Sequence, residues 1–511
     1  MTDTQNNTGN LNDFFAKVDP QTESAPNLTP PVDYPPPPIN QVVVEKTNTE
    51  SVTPSPASDF SPTVAAPAPV IPENPEPPAN KIAIKKTLLV FAVALFLIGI
   101  IVLFFGSLLP KLTGKKENEV TLTYWGLWEP AATLSGIIEE YQKSHPKVKI
   151  NYVQNLGEST KNYRQRLRAA LDRGEIDIFR FHNTWTPMFR DLLSPVPANV
   201  MDAATFERTY YPVARTDLKL ANGYVGLPLM MDGLALYYNE DIFATAGKLP
   251  PKTWEEFRQL AVELTVRDST GKIQTAGAAL GTTNNVDHWS EILGLMLLQN
   301  NADLANPTDN FAADAISFYL KFVSDHRVWD SSLPPSTYSF ASGRLAMYFG
   351  PSWRVFDIKT LNPGLKFKII PVPQLSGVDL AWASYWVEGV SNKSAHAKEA
   401  WDFLQFLATK ETIAKLYQNQ SQLRLFGEPY SRTDMADLLR NELYVGAYIQ
   451  QAVKAKSWYL CARTYDNGIN DEIIKYYEDA VNAIGRGENS QSSLATAAMG
   501  INQVLAKYGL K

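Results

Sequence analysis

Six tryptophans draw attention by position. Trp125, Trp128, Trp185, Trp289, Trp353 and Trp386 lie in turn-like places just after strand patterns. A flat indole there could cover the apolar C–H face of a sugar ring, and a few polar side chains could take its hydroxyls. Glu129, Asn183, Asp232, Asp287 and Glu388 are the polar candidates, and His182 could donate to a hydroxyl. Each has a plainer use: tryptophans fill cores, and an aspartate caps a turn. Trp254 and Trp401 fall inside helix patterns and read as core.

Other chemistries find less support. Glu129, Asp232 and Glu388 could be misread as a glycosidase acid and base, but their spacing does not argue for paired catalysis. There is no G-x-S-x-G, no P-loop and no G-x-G-x-x-G. Five scattered histidines and one cysteine argue against a metal centre and a disulfide framework. A net charge of -6 argues against general nucleic-acid binding. The expectation is a protein with no catalytic residues, no metal and no cofactor.

Alternating periods must position these residues. Val120 to Trp125 reads as a strand, 133–141 as an amphipathic helix, 148–153 as a strand, 163–171 as a helix and 176–179 as a short buried strand. Strand and helix in alternation predict βαβ units and a mostly parallel sheet. Further strands are expected over 223–230 and 234–239. A capping box, Thr253 with Glu256, opens a helix to Leu264. Residues 397–407 and the run from Leu494 read as two more helices.

The chain ahead of these elements has different physics. Seventeen of the 35 prolines lie between Pro20 and Pro78, and residues 1–80 carry ten acidic residues against two lysines. Such a composition cannot offset the entropy of ordering the chain, so residues 1–86 are expected to form a disordered, Pro-rich acidic tail. It reads as a solvated spacer, or as a ligand for an SH3-like partner. From Thr87 to Pro110 there is no charged residue. That length spans a hydrocarbon core of ~30 Å, so 87–109 is expected to be an uncleaved transmembrane helix. Three lysines flank it on each side, so charge alone does not orient it. Residues 118–511 are expected to form one globular unit with two lobes.

Several blocks, in order, carry a resemblance. They are Leu122–Glu129 (LTYWGLWE), Gly174–Ile178 (GEIDI), Asn222–Lys248, Leu249–Phe257, Phe340–Trp353, Ser384–Glu411 and Ala498–Asn502. Together they resemble extracellular solute-binding proteins, family 1, the maltose-binding-like components of ABC importers. The resemblance implies an α/β fold: a two-lobed periplasmic-binding-protein type II domain, or Venus flytrap, with lobes discontinuous in sequence. Crossings would fall near Met230–Asp232, near Tyr385–Val390 and in the C-terminal third. Ile176 stands where the family often has proline, and the anchor and tail depart from its pattern.

By that resemblance the protein is a membrane-anchored receptor, not an enzyme. A carbohydrate would sit between the lobes, and ABC permease subunits would be its partners. Trp125, Glu129, Asn183, Trp185, Asp232, Asp287, Trp289, Trp353, Trp386 and Glu388 would contact the ligand. Asp232 matches a position where many relatives place a carboxylate that accepts from sugar hydroxyls. The domain would face outside, with the tail in the cytoplasm. The alternative is a surface sensor or adhesion module that reuses the fold. Polyamines, iron complexes and peptides are other solutes of related folds.

Overall fold

The structure is a computed structural model and describes residues 119–155 and 162–511. The expected tail and transmembrane helix lie outside the described residues. Among the described residues no helix is long and apolar enough to cross a membrane.

The first half builds as its periodicity dictates. β1 (Val120–Gly126) buries Leu122, Tyr124 and Gly126 on one face. α1 (Ala131–Ser144) buries Leu134, Ile137, Ile138 and Tyr141, the stripe read from the sequence. β2 (Val148–Gln154) and α2 (Tyr163–Asp172) follow. β3 is Ile178–His182, two residues later than expected, and all five of its residues are buried. β1 pairs in parallel with β2 and β3, as βαβ units require.

A second sheet comes from the middle of the chain. Its strands are β4 (Ala235–Asn239), β5 (Val266–Arg267), β6 (Ile273–Ala278), β7 (Leu345–Gly350) and β8 (Phe367–Ile370). Their order is β8-β4-β7-β6-β5. Only β6 and β7 pair in parallel here, so this sheet is mainly antiparallel, unlike the expectation drawn from the first half. The helices around it include α3 (Trp254–Glu263), with the expected Thr253/Glu256 capping box, and α4 (Trp289–Gln299). α5 (Arg354–Leu361) follows β7. β9 (Trp386–Val390) then returns to the first sheet antiparallel to β3, giving the order β9-β3-β1-β2. α6 (Ala397–Leu407) and α7 (Lys410–Leu423) pack on that lobe. α8 (Ile469–Gly485) and α9 (Ser490–Lys507) close the chain.

Three segments pass between the lobes and hold one another. The strand expected over 223–230 is confined to Gly223–Tyr224. Beyond it the chain makes isolated bridges, Leu227 to Glu388, Met230 to Tyr430 and Gly233 to Ala383. The crossings thus run beside each other near 227–233, 383–388 and 430. Gly233 is there because a Cβ would overlap the Trp382 carbonyl. Gly226, at φ +107, likewise passes hard against Val387.

Candidate functional site

The first sheet presents the C-terminal ends of β1 and β3 and the start of β9 at one edge. The chain leaving β1 supplies Trp128 and Glu129, β3 supplies Arg180 and His182, and β9 supplies Trp386 and Glu388. Arg180 is the hub. Its Nη1 lies 2.5 Å from Glu129 Oε2, and its Nε lies 2.7 Å from Glu388 Oε1. Glu428, from the third crossing, stands 3.8 Å from Nη1 and accepts from Trp128 Nε1 at 2.9 Å. The guanidinium also lies 5.1 Å from the centre of the Trp128 ring.

Burial sets the electrostatics of this group. It pushes Glu129 up to about 8 against the pull of Arg180, and it raises Glu388. Burial also disfavours the Glu428 charge, but Arg180 and Arg424 outweigh it and hold this carboxyl below its usual range. Three carboxylates thus share one cation, and burial favours the protonated form of Glu129 and Glu388 over that of Glu428.

Trp386 is half-buried in an aromatic group, edge-to-face with Trp128 at 5.3 Å, Trp185 at 5.1 Å and His182 at 5.2 Å. Trp185 itself is fully buried and stacks on Phe189, so it backs Trp386 from within the core. Trp125 is half-buried on β1, against the core. Asn183 is buried and ties the end of β3 to the second crossing: it accepts from the Tyr385 amide at 3.1 Å and donates to Asp217 at 2.8 Å.

The second sheet offers a matching edge. Asp232 is buried at the first crossing. It accepts from the Gly233 amide at 2.8 Å, the Ser352 hydroxyl at 2.7 Å and the Ser352 amide at 3.1 Å. Burial still pushes it up to about 7. The residue after Ser352 is Trp353, 39% exposed, with the Arg354 guanidinium 4.3 Å from its ring centre. Asp287 sits between two cations, 3.7 Å from Arg354 and ion-paired with Arg463. Burial opposes its charge, but the two arginines hold its carboxyl far below the usual range. Trp289 is buried in the first turn of α4.

The predicted residues therefore divide. Trp353 and Trp386 present indole surface at the two edges. Glu129, Asp232 and Asp287 are held by protein partners just behind them, Glu388 is held through Oε1 by Arg180 and Tyr124 while its buried Oε2 has no partner, and Trp185 and Trp289 are interior. The sequence reading missed Arg180, Glu428, Arg354 and Arg463. An arginine inside a buried strand was the available signal for Arg180; Glu428 carries no mark in its local sequence.

A family profile for the bacterial extracellular solute-binding protein matches residues 125–414. The chain belongs to that family. This solute-binding protein is 23% identical over 342 residues to the multiple sugar-binding protein of Streptococcus mutans, covering 60% of this chain and 75% of the relative. It is 24% identical over 336 residues to the sn-glycerol-3-phosphate-binding periplasmic protein of Pectobacterium atrosepticum, covering 59% and 71%. Its fold matches the sugar-binding protein MalE of Xanthomonas citri with a TM-score of 0.62 at 18% identity, over 76% of this chain and 98% of that one. The two sheets and three crossings are thus those of a two-lobed solute-binding protein of the ABC-transporter type.

Proposed function

We propose that this solute-binding protein is a membrane-tethered receptor that closes on a carbohydrate and hands it to the permease of an ABC importer. The observation that carries the sugar assignment is Trp353. An indole 39% exposed at the hinge-side edge of a lobe is an unusual surface residue, and its face is the right shape for a pyranose. The half-buried Trp386 and Trp128 give the other lobe a second aromatic surface. Relatives that bind sugars and a polyol phosphate support the same solute range.

A receptor works outside the cell. Residues 87–109 would be the anchor and residues 1–86 the cytoplasmic tail. Ligand binding shifts an open–closed equilibrium, and the closed form docks on the permease. Any solute that binds only the folded state raises its melting temperature. The test is therefore a thermal-shift screen of the full detergent-solubilised chain with mono- and oligosaccharides, sn-glycerol 3-phosphate, amino acids and polyamines. Saturable stabilisation by a saccharide supports the assignment. Stabilisation by another class alone removes the sugar, and silence throughout removes the receptor.

A further inference from the structure

Beyond the third crossing, α8 packs against α4 on the second lobe. The stretch that leads into α8 nevertheless reaches back to the first lobe. It sets out beside the second crossing, where Ala455–Lys456 pairs with Ala381–Trp382. Ser457 Oγ then donates to Asp217 Oδ1 at 2.6 Å. At the start of α8, Asn470 Nδ2 donates to Thr184 Oγ1 at 2.7 Å, and Arg164 Nη2 donates to the Asn467 carbonyl at 3.3 Å. Gly468 lies between them, so close to Met188 that a Cβ would stand 2.6 Å from the sulfur. Thr184 and Met188 follow β3 and Arg164 lies in α2, so all three belong to the first lobe.

The backbone of this stretch is strained. Arg463, Tyr465 and Asn467, three alternate residues, take left-handed φ values of +60, +48 and +44. Residues with a side chain disfavour that region, arginine and tyrosine more than asparagine. Such a conformation persists only where its surroundings fix it. Here they do so from two sides. Arg463 ion-pairs with Asp287, which stands 3.7 Å from Arg354 beneath Trp353. Asp466 is buried and caps α8, accepting from the Gly468 amide at 2.8 Å and the Asn470 amide at 3.1 Å. Asn470, also buried, is used in full. Its Oδ1 accepts from the Cys461 amide at 3.1 Å, and its Nδ2 donates to Asp466 at 2.8 Å as well as to Thr184.

We infer that residues 463–470 form a strap that ties the lobes together beside the cleft and biases the ligand-free protein toward its closed form. One end is fixed to the second lobe through Arg463 and Asp287. The other is hooked on the first lobe through Asn470 and Thr184, whose Oγ1 also lies 2.7 Å from His182 Nδ1. His182 abuts Trp386, so the strap runs between groups that adjoin the two tryptophan edges. Parting the lobes there breaks the hook and removes one of the constraints on the left-handed residues. With the hook in place, less of the closing is left for a solute to drive. The inference rests on the two-lobed receptor reading for its meaning, but its test needs no ligand.

Valine at 184 keeps the shape and loses the hook, whereas serine keeps the hydroxyl. The experiment measures the distance between spin labels on Ser135→Cys and Thr360→Cys, exposed residues of α1 and α5, in the full ligand-free chain. Cys461 is the chain's one native cysteine and is buried. Thr184→Val, Arg463→Ala and the double variant form a cycle, with Thr184→Ser as the rescue and circular dichroism as the fold check. Arg463→Ala releases the other end without touching His182. The expected result is a shift to longer distance in each single variant and none in Thr184→Ser. The two ends act in series, so the double should shift no further than the larger single. An unchanged distance in a folded Thr184→Val protein, an equal shift in Thr184→Ser, or effects that simply add overturns the inference. Should one single variant fail to fold, the other decides: an unchanged distance there overturns it. Failure to bind any sugar would leave this outcome untouched, so the two readings fail separately.

Discussion

Ser352 donates both its hydroxyl and its amide to Asp232, tying the turn that presents Trp353 to the first inter-lobe crossing. Asp232 stood out in the sequence as a ligand contact. In the structure its carboxylate is occupied by Gly233 and Ser352, which places it behind the turn that carries Trp353. Asparagine at 232 would turn one amide end toward donors. Asp232→Asn should lose about 1–3 kcal/mol of stability, and Ser352→Ala about 1 kcal/mol. Chemical denaturation of each variant checks the order.

Trp353 and Trp185 should respond in opposite ways. Trp353→Ala removes an exposed ring and should leave the melting temperature nearly unchanged while weakening sugar binding about tenfold or more. Trp185→Ala empties a fully buried site and should cost roughly 3–5 kcal/mol. Paired melting and binding measurements on the two variants separate a ligand surface from its support.

Arg180 is a single cation shared by buried carboxylates. Arg180→Ala should cost about 3–5 kcal/mol, because the buried Glu388 would lose the cation it pairs with and keep only the Tyr124 hydroxyl. Lysine at 180 cannot reach both Glu388 and Glu129 with one ammonium, so Arg180→Lys should recover only a small part of that loss. Equilibrium unfolding at pH 7 compares the three proteins.

Stability should depend on pH with a definite sign. Glu129 and Glu291 are pushed up to about 8 and Asp232 to about 7, mainly by burial. In the unfolded chain these groups titrate near 4, so between pH 4 and 8 the folded state holds more protons, and their contribution falls as pH rises. His182, pushed down to about 3, and His288, held well below its usual value, act oppositely: below about pH 6.5 the unfolded chain takes up their protons and stability is lost as pH falls. The melting temperature should therefore rise from pH 8.5 to about 6.5 and flatten below. Glu129→Gln should reduce the slope above 6.5. A melting temperature that falls steadily from pH 8.5 to 6.5 would show that these carboxyls are not proton-loaded in the folded state.

Local patterns carried the fold because they report on local physics. The alternation in 120–126, the apolar stripe of α1 and the Thr253/Glu256 box are each decided within a few residues, and the structure has them in place. The second sheet is different. Its strands come from 235 to 370, and whether β4 pairs parallel or antiparallel with β7 is set by tertiary context. The site is less legible for the same reason. Trp185 and Trp353 both follow strands, yet one turns inward onto Phe189 and the other outward over Arg354. Glu428 meets Arg180 across 248 residues of sequence, and no local pattern foretells that meeting.

The central claim is that a carbohydrate binds between the lobes on the Trp353 face. Isothermal titration of the full chain with the saccharides of the thermal screen, repeated on Trp353→Ala, tests it most directly. The account predicts one-to-one binding by one saccharide class, weakened about tenfold or more in a Trp353→Ala protein that melts normally. Saccharide binding of equal strength in the two proteins, or none in either, would contradict it.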